Sequence, residues 1–286
     1  MQGRIVNLIA GVYFVEANNN IFQCVARGNF RHKKLKPLVG DIVEFDENLL
    51  TIDEIHPRHS ELNRPAMANI DHLLIVHSYK QPEFSFGLIF KYLTYANMNG
   101  IKVSVIISKI DKCENNEDLH SILDVFHQIN VPIYLVNSKK GEGVEQIKKL
   151  FTNNVVALIG TSGVGKSTLL NAINPSYNRK EGEYSSSLKG GKHQTKEVVL
   201  LPYEGGYLAD TPGFYSLQLN LTKEDLAKYY PGMYLKSQEC YFSNCLHLSE
   251  KDCAIIKEVK EGILPEVVYD NYLQLLQEAS STNRRI

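Results

Sequence analysis

Residues 155–167 read VVALIGTSGVGKS, and this stretch decides the fold of the chain. An apolar run with the length of a buried strand leads into the pattern G-x-x-x-x-G-K-S, and the helical pattern KSTLLNAI follows. In such a pattern the glycines let backbone N–H groups close around phosphate oxygens, and the helix amino terminus adds partial positive charge. The sequence therefore predicts a nucleotide phosphate loop rather than a glycine-rich turn with a surface lysine.

The polar residues of this loop have separate expected roles. Lys166 is expected to place its ammonium on the β- and γ-phosphates, and the Ser167 hydroxyl is expected to ligate Mg²⁺. The other residues expected to contact the nucleotide here are Gly160, Thr161, Ser162, Gly163, Val164, Gly165 and Thr168.

The composition is that of an ordinary globular protein with 43% hydrophobic and 22% charged residues. A formal net charge of −1 neither demands nor excludes a nucleic-acid partner. No apolar run approaches the roughly 18 residues of a membrane span, and Arg4 and Asn7 interrupt the apolar start, so neither a membrane protein nor a signal peptide is expected. Five cysteines, three of them between positions 240 and 253, favour a metal site in a reducing compartment over a disulfide framework, which makes the cytoplasm the expected location.

Residues 1–63 are predicted to form the first of three domains. Short strand-like runs follow one another without a helical period between them, which favours an OB-type β-barrel over a sandwich. A basic segment between two runs is a candidate RNA-binding patch, in which cations contact phosphates and Phe30 stacks on a base; an ordinary solvated loop is the equal alternative. The candidate RNA-binding residues are Arg27, Phe30, Arg31, Lys33, Lys34 and Lys36.

Residues 64–218 alternate strand-like and helical patterns, which predicts a mostly parallel sheet with helices on both faces and ligands at the carboxyl ends of the strands. One predicted strand ends in SKID at 108–111, and its first residue, Ser108, is also expected to contact the nucleotide. The Asp111 carboxylate can accept two hydrogen bonds from the N1–H and 2-amino group of guanine, a donor pair that adenine lacks. Lys109 can lay its aliphatic stem over the base.

This four-residue pattern is weak by itself, because an aspartate in such a place is often only a helix cap. A second loop, which contains Ser138 and Lys139, follows the next predicted strand and is expected to donate a backbone N–H to the guanine O6. Two strand-end loops in this order favour a guanine nucleotide.

A polar segment at 178–196 follows the phosphate-loop helix and is expected to be a mobile switch rather than an ordinary surface loop. Within it, Thr195 is expected to ligate Mg²⁺ and His193 is the nearest candidate for a catalytic group. Further on, the sequence DTPG is expected at a strand end. There Asp210 would hold Mg²⁺ through water and the Gly213 N–H would bond the γ-phosphate.

Two features of this region set it apart from most GTPases. Phe214 follows the glycine, where many GTPases have a glutamine that orients water, so catalysis requires His193 or an external partner. The base-reading loops also precede the phosphate loop, which is the reverse of the usual order. The sequence therefore predicts a circularly permuted GTPase domain, which is tolerated because domain termini lie at the surface.

Residues 219–286 are predicted to form a helical zinc-binding module. Four soft or borderline ligands occur close together, enough for a closed tetrahedral Cys₃His site in which zinc is structural. The alternative is a set of free thiols beside a surface histidine. The four expected ligands are Cys240, Cys245, His247 and Cys253.

The order of small barrel, permuted GTPase and Cys₃His module resembles the bacterial RsgA (YjeQ/YloQ) family, the ribosome small subunit-dependent GTPase A. The motifs that carry the resemblance are GDIVEF at 40–45, SKID at 108–111, the phosphate loop, KHQT at 192–195, DTPG at 210–213 and the four zinc ligands. The chain departs from the usual family pattern twice, with Ser108 where the family usually has Asn or Thr, and with KHQT where it usually has RHTT.

The resemblance implies a GTPase that binds the 30S ribosomal subunit and its 16S rRNA and hydrolyses GTP to GDP and phosphate faster on that subunit. It also implies a role late in the maturation of the subunit, and a monomer is expected. Two other interpretations of the sequence stay open: an ATP-dependent phosphotransferase, and an RNA-binding scaffold with a non-hydrolysing nucleotide site.

Overall fold

The computed structural model describes residues 1–28, 30, 35–63, 66–177, 198–210 and 221–282. The amino-terminal strands form a closed ring, because β1 pairs with both β2 and β4, β3 pairs with β2 and β5, and β4 pairs with β5. The pairs are antiparallel except β3 with β5. The strands are β1 (Gln2–Ile9), β2 (Val12–Ala17), β3 (Asn20–Ala26), β4 (Ile42–Asp46) and β5 (Thr51–Ile55).

Apolar side chains on alternate positions of these strands fill the barrel interior, as the period of a strand requires. Ile5, Val15, Val43 and Ile52 are fully buried there. The predicted OB-type barrel is thereby confirmed.

The structure corrects the role expected for Phe30. Its side chain is only 5% exposed and belongs to the apolar core with the barrel residues, so its ring offers no free face to a base. Burying a phenylalanine contributes about 1.5–3 kcal/mol, which explains why it does not stay at the surface of a polar loop. Among the predicted RNA-binding residues, Arg27 and Lys36 are exposed, and Arg31, Lys33 and Lys34 lie outside the described residues.

A short hairpin, β6 (Glu61–Asn63) and β7 (Ala66–Ala68), joins the barrel to the following sheet. Its Met67 is fully buried and forms an isolated parallel bridge with Val39 of the barrel. The domain bounds 1–63, 64–218 and 219–286 stay a prediction.

The central sheet has the strand order β10-β9-β8-β11-β13-β12, in which the neighbouring pairs from β10 to β13 are parallel and β12 is antiparallel to β13. Strand β12 also meets barrel strand β1, with Asn7 opposite Val199, so one sheet continues into the barrel. The strands are β8 (His72–Ser78), β9 (Lys102–Ser108), β10 (Ile133–Val136), β11 (Val155–Ile159), β12 (Val199–Tyr203) and β13 (Gly206–Asp210).

Helices cover both faces of this sheet, which explains why all five residues of β11 are buried. On one face the apolar side chains of α1 and α2 meet in an aromatic cluster around Phe90 and Phe126. On the other face α3 and α4 cover a second apolar core. These helices are α1 (Phe86–Met98), α2 (Asn116–Gln128), α3 (Val144–Phe151) and α4 (Lys166–Ile173).

Two of the three carboxyl-terminal helices, those at 223–229 and 266–282, pack against α1. Phe90 of α1 lies edge-on to Tyr230, with ring centroids 5.8 Å apart, and the Asn97 side chain donates to the Tyr229 carbonyl over 2.9 Å. No helix in the described ranges is both long enough and apolar enough to cross a membrane. The helices are α5 (Lys223–Tyr229), α6 (Ala254–Lys260) and α7 (Glu266–Thr282).

Candidate functional site

The carboxyl ends of four parallel strands bring the predicted nucleotide loops to one edge of the sheet. Ser108 at the end of β9 lies opposite Ser78 of β8 on one side and Val136 of β10 on the other. Strand β11, which precedes the phosphate loop, is paired with β8 through Ile75 and Ile159. The two base-reading loops and the phosphate loop are therefore neighbours in space although they are separated along the chain.

The phosphate loop has a backbone conformation that requires glycine at its start. Gly160 has φ +156°, and a Cβ built on it would lie 2.1 Å from the Val76 carbonyl oxygen. Because that oxygen belongs to the neighbouring strand β8, no side chain fits here. The loop then enters α4 at Gly165, so the helix amino terminus faces the space that the loop encloses.

Lys166 lies folded over its own loop. Its ammonium donates to the carbonyl oxygens of Gly160 and Thr161 over 2.6 and 2.8 Å. Burial lowers the pKa of Lys166 to about 8, since the charged form loses hydration there. A phosphate bound beside the ammonium would favour its charged form, as expected for a lysine that serves a polyphosphate. The Thr161 hydroxyl is also buried, and it has no hydrogen-bond partner among the described residues.

Ser108 holds the base-reading loop against the phosphate loop. Its buried hydroxyl lies 2.5 Å from the Val164 carbonyl oxygen and 3.3 Å from the His77 carbonyl oxygen. One hydroxyl has one hydrogen to donate, so the shorter contact, with Val164, is the effective bond. The side chain that the sequence assigned to nucleotide contact thus joins two loops of the chain itself.

Lys109 and Asp111 occupy the turn after β9. Lys109 has the left-handed φ of +57° and donates its ammonium to the Gly163 carbonyl of the phosphate loop over 2.5 Å. Its stem passes beside the same loop, with Cε 3.9 Å from the position that a Cβ on Gly165 would take. Asp111 lies exposed in the short 3-10 helix Ile110–Lys112. Its carboxylate makes no hydrogen bond or ion pair within the described ranges, so both oxygens are available to a ligand.

The second base-reading loop is closed by its own hydrogen bonds. Asn137 and Glu142 exchange backbone bonds of 3.0 and 3.2 Å, and the Asn137 side chain donates to the Glu142 carboxylate over 3.2 Å. Gly143 begins α3 with φ +77°, and a Cβ there would lie 2.1 Å from the Leu135 carbonyl oxygen. Within this loop Ser138 is half-buried and Lys139 is exposed.

The remaining predicted residues of the nucleotide site are described in part or not at all. Asp210 ends β13, the strand beside β11, with its backbone opposite Val199, so its main chain lies at the expected edge of the sheet. The segment 178–196 and the residues His193, Thr195 and Gly213 lie outside the described residues.

The four predicted metal ligands form one cluster in the carboxyl-terminal module. Their ligand atoms all lie within 4.8 Å of one another, and the cluster consists of Cys240, Cys245, His247 and Cys253. Cys245, His247 and Cys253 are buried, and burial raises the pKa of the Cys245 and Cys253 thiols and lowers the pKa of the His247 imidazole. A bound divalent cation would instead lower the pKa of the thiols, because it stabilises them as thiolates.

Distances within the cluster fit a tetrahedral ion. A tetrahedral zinc ion binds sulfur at about 2.3 Å and nitrogen at about 2.0 Å. In that geometry two sulfur ligands lie about 3.8 Å apart, and a sulfur and a nitrogen ligand lie about 3.5 Å apart. The two sulfurs of Cys240 and Cys253 lie 3.8 Å apart. The His247 Nδ1 atom lies 3.6 Å from the Cys240 sulfur and 3.4 Å from the Cys253 sulfur. The residues present could therefore hold a metal ion.

Neighbouring backbone and side-chain groups orient the loop that carries these ligands, and the sequence spacing alone did not reveal them. The His247 Nε2 atom lies 3.2 Å from the Ala227 carbonyl oxygen at α5, which assigns its proton to Nε2 and leaves Nδ1 free to ligate. Tyr269 donates its hydroxyl to the His247 carbonyl over 2.6 Å. Burial alone would raise the carboxyl pKa of Glu250, but the carboxylate accepts backbone N–H bonds from three residues of the same loop, and together these hydrogen bonds lower its pKa.

Comparison with known proteins identifies the family. The model described as RsgA GTPase matches residues 55–220, and the model described as RsgA N-terminal domain matches residues 2–50. A chain from Halalkalibacterium halodurans named small ribosomal subunit biogenesis GTPase RsgA is 38% identical over 290 residues, which cover 99% of both chains. The chain belongs to the RsgA family.

Other relatives and solved structures agree. A chain of the same name from Caldanaerobacter subterraneus is 39% identical over 100% of this chain and 98% of its own length. The crystal structure of YjeQ from Thermotoga maritima matches with a TM-score of 0.81 and 32% identity, covering 97% of this chain and 98% of that one. The crystal structure of YloQ, described as a circularly permuted GTPase, matches with a TM-score of 0.80 and 32% identity, covering 98% and 95%.

Membership in the RsgA family confirms several sequence-based predictions together. The resemblance itself, the class of enzyme and the multidomain α/β fold with barrel, permuted GTPase domain and carboxyl-terminal Cys₃His module are all confirmed. At Ser108, one of the two departures from the family motifs, the serine hydroxyl bonds the Val164 carbonyl of the phosphate loop over 2.5 Å.

Proposed function

We propose that this chain is a cytoplasmic, monomeric GTPase of small ribosomal subunit biogenesis. It binds the 30S subunit through 16S rRNA, hydrolyses GTP to GDP and phosphate, and acts late in maturation of the subunit. The observation that carries the proposal is the Asp111 turn, which adjoins the phosphate loop through the Lys109 bond to Gly163. Relatives that share nearly the whole chain are named small ribosomal subunit biogenesis GTPases, which supports the cellular role.

Guanine selection in this proposal depends on the Asp111 carboxylate. Guanine offers its N1–H and 2-amino group to the two carboxylate oxygens, while adenine would leave the carboxylate without a donor pair. A lost hydrogen bond to a charged group costs about 1.5–3 kcal/mol, so GTP is favoured over ATP by at least tenfold. Ser138 and Lys139 lie on the neighbouring strand end, where a backbone N–H can reach the guanine O6.

The phosphates bind in the loop Gly160, Thr161, Ser162, Gly163, Val164, Gly165, Lys166, Ser167 and Thr168. Mg²⁺, when bound with GTP, neutralises charge on the phosphates. Ser167, Thr195 and Asp210 are its proposed ligands, since Ser167 lies in the first turn of α4 and Asp210 ends a neighbouring strand. Gly213 is proposed to sense the γ-phosphate, and release of that phosphate after hydrolysis frees the segment of chain that leads to the carboxyl-terminal module.

His193 is the proposed catalytic group, because an imidazole can orient the attacking water when the usual glutamine is missing. The 30S subunit is the other source of such a group. Because the water-orienting glutamine is missing, we expect slow turnover by the protein alone and faster turnover on the subunit.

Zinc is the proposed ion of the Cys₃His cluster, and its role is structural. Four protein ligands complete a tetrahedron, so no coordination position is left for a reacting water. The ion supplies charge that keeps the thiolates ionised, while Ala227 and Tyr269 fix the loop that carries His247.

Exposed side chains beside this cluster support a contact with rRNA. Tyr241 is 76% exposed and lies edge-on to Phe242, which is also exposed, with ring centroids 4.9 Å apart. Aromatic rings at a surface can stack on unpaired bases. On the barrel, Arg27 and Lys36 are exposed cations that can contact phosphates, although Arg27 is paired with Asp53 over 2.7 Å.

Steady-state GTP turnover, measured with and without purified 30S subunits, tests the proposal. We expect the subunit to stimulate hydrolysis strongly, and His193→Ala to abolish most of the stimulated rate while GDP binding is retained. Equal rates with and without subunits would refute the ribosome-dependent activity. Full activity of His193→Ala would assign catalysis to another group.

The two alternatives predict different results in simple assays. An ATP-dependent phosphotransferase would bind ATP at least as well as GTP in competition. An RNA-binding scaffold would show no hydrolysis in a single turnover. The family assignment favours neither of them.

A further inference from the structure

A third loop lies against the nucleotide site beside the two motif-bearing loops. It spans 79–85 between β8 and α1, and no motif of the sequence pointed to it. Its Gln81 carbonyl oxygen accepts the Lys109 ammonium over 2.5 Å, and the same ammonium bonds Gly163 of the phosphate loop. The Ser78 hydroxyl closes the loop from inside by donating to the Pro82 carbonyl over 2.8 Å.

The side chain of Gln81 makes a second contact with the base-reading turn. Its amide oxygen accepts the Lys112 ammonium. Lys109 and Lys112 flank Asp111 in sequence, so both oxygens of Gln81 engage lysines on either side of the proposed guanine-reading carboxylate. A charge-assisted hydrogen bond is shorter and roughly twice as strong as a neutral one.

Backbone strain also marks this contact. Gln81 has φ +60° and Lys109 has φ +57°, a left-handed conformation that non-glycine residues adopt in only a few per cent of cases. Such residues persist where the surroundings hold them, and they are frequent at ligand sites. Here the two strained residues are joined to each other by the Lys109 bond to the Gln81 carbonyl.

We propose that Gln81 is a positioning residue for guanine recognition. It fixes the turn from Lys109 to Lys112 in the orientation that presents Asp111 to the base, and it does so without touching the nucleotide. The proposal rests on the function proposed above, in which Asp111 reads guanine. Its specific content is that selectivity for the base depends on a side chain from the β8–α1 loop.

Binding of GDP and IDP distinguishes positioning from a merely structural role. Hypoxanthine lacks the 2-amino group, so IDP makes one hydrogen bond fewer with Asp111 and loses less when that carboxylate is misplaced. For Gln81→Ala we expect the Kd of GDP to rise about three- to tenfold, the effect of one hydrogen bond. The Kd of IDP should rise by less than half that factor, so that the preference for GDP falls.

Matched variants sharpen the experiment. Gln81→Glu keeps an acceptor for Lys112 and should retain the preference for GDP to within about twofold. Lys112→Met removes the other partner of the same bond; it should therefore match Gln81→Ala, and the double variant should be no worse than either single one. Gln128→Ala, at an exposed position that ends α2, is the control and should change neither Kd.

Equal weakening of GDP and IDP in Gln81→Ala and Lys112→Met would overturn the proposal, and so would an unchanged GDP preference in both. Additive losses in the double variant would also contradict it, because they would mean that the two side chains act separately. A native chain that binds ADP as well as GDP would instead refute the proposed guanine specificity itself. Selective binding of GDP by the native chain with an unchanged preference in the variants would refute only the role of Gln81.

Discussion

Two buried tyrosines at the contact between the carboxyl-terminal module and α1 form a matched pair for substitution. Tyr230 and Tyr272 are both fully buried, and their ring centroids lie 5.2 Å apart in an edge-on arrangement. Tyr272 donates its hydroxyl to the Leu246 carbonyl over 2.7 Å. The Tyr230 hydroxyl, in contrast, has no hydrogen-bond partner within the described part of the chain.

Removal of the hydroxyl should therefore change the free energy of unfolding in opposite directions. An unpaired buried polar group costs about 1–3 kcal/mol, so Tyr230→Phe removes a destabilising group and should raise stability by up to about 1 kcal/mol after the lost packing is counted. Tyr272→Phe leaves the Leu246 carbonyl unpaired and should lower stability by about 1–2 kcal/mol. Both substitutions keep the aromatic ring and remove only the hydroxyl. The difference between the two variants therefore reports on the hydrogen bond.

Urea unfolding of the metal-loaded protein, followed by circular dichroism, measures this difference through the shift in midpoint at constant slope. Leu246 precedes His247, so Tyr272→Phe should also speed the loss of metal to a chelator, while Tyr230→Phe should not. The reasoning fails if Tyr230→Phe destabilises the protein as much as Tyr272→Phe does. That result would show that the Tyr230 hydroxyl has a partner of its own.

Three further predictions concern the nucleotide and metal sites. Ser108→Ala removes the hydroxyl that donates to the Val164 carbonyl, and calorimetric titration should show the Kd of GDP rising about three- to tenfold. An unchanged Kd would show that this hydrogen bond does not contribute to nucleotide binding. Burial lowers the pKa of Lys166 to about 8, and bound phosphate favours its charged form. Affinity for GDP should thus be constant from about pH 7, where the terminal phosphate is ionised, to pH 8 and fall by up to tenfold per unit above it; a flat profile of Kd above pH 8 would contradict this. Cys245→Ser should lose most of the bound metal by elemental analysis, whereas Cys113→Ser, outside the cluster, should retain it.

Local patterns in the sequence were sufficient for most of the secondary structure and for the nucleotide motifs. The apolar runs at 103–107 and 155–159 became β9 and β11, because side chains buried on both faces of a parallel sheet leave continuous apolar stretches. The four metal ligands could be predicted from residue type and proximity, since soft ligands so close along the chain seldom lie together without a metal. The motif order was enough to predict the permutation.

Long-range contacts account for what the sequence could not predict. Phe30 was expected at the surface because its neighbours along the chain are basic, but the barrel core covers its ring. The pairing of β12 with barrel strand β1 joins residues almost two hundred positions apart, and no local pattern encodes it. Gln81 was missed because its carbonyl and amide oxygens act on lysines of a different loop, and glutamine carries no motif of its own.

Competition among GDP, ADP and XDP for the native chain and for Asp111→Asn tests the guanine-reading claim most directly. The native chain should bind GDP at least tenfold more tightly than ADP or XDP, since the Asp111 carboxylate needs the N1–H and 2-amino donors of guanine. Xanthine carries a carbonyl oxygen in place of the 2-amino group, and an asparagine amide can donate to it. Asp111→Asn should therefore shift preference from GDP to XDP, and a variant that still prefers GDP would contradict the assignment of Asp111 as the base-reading residue.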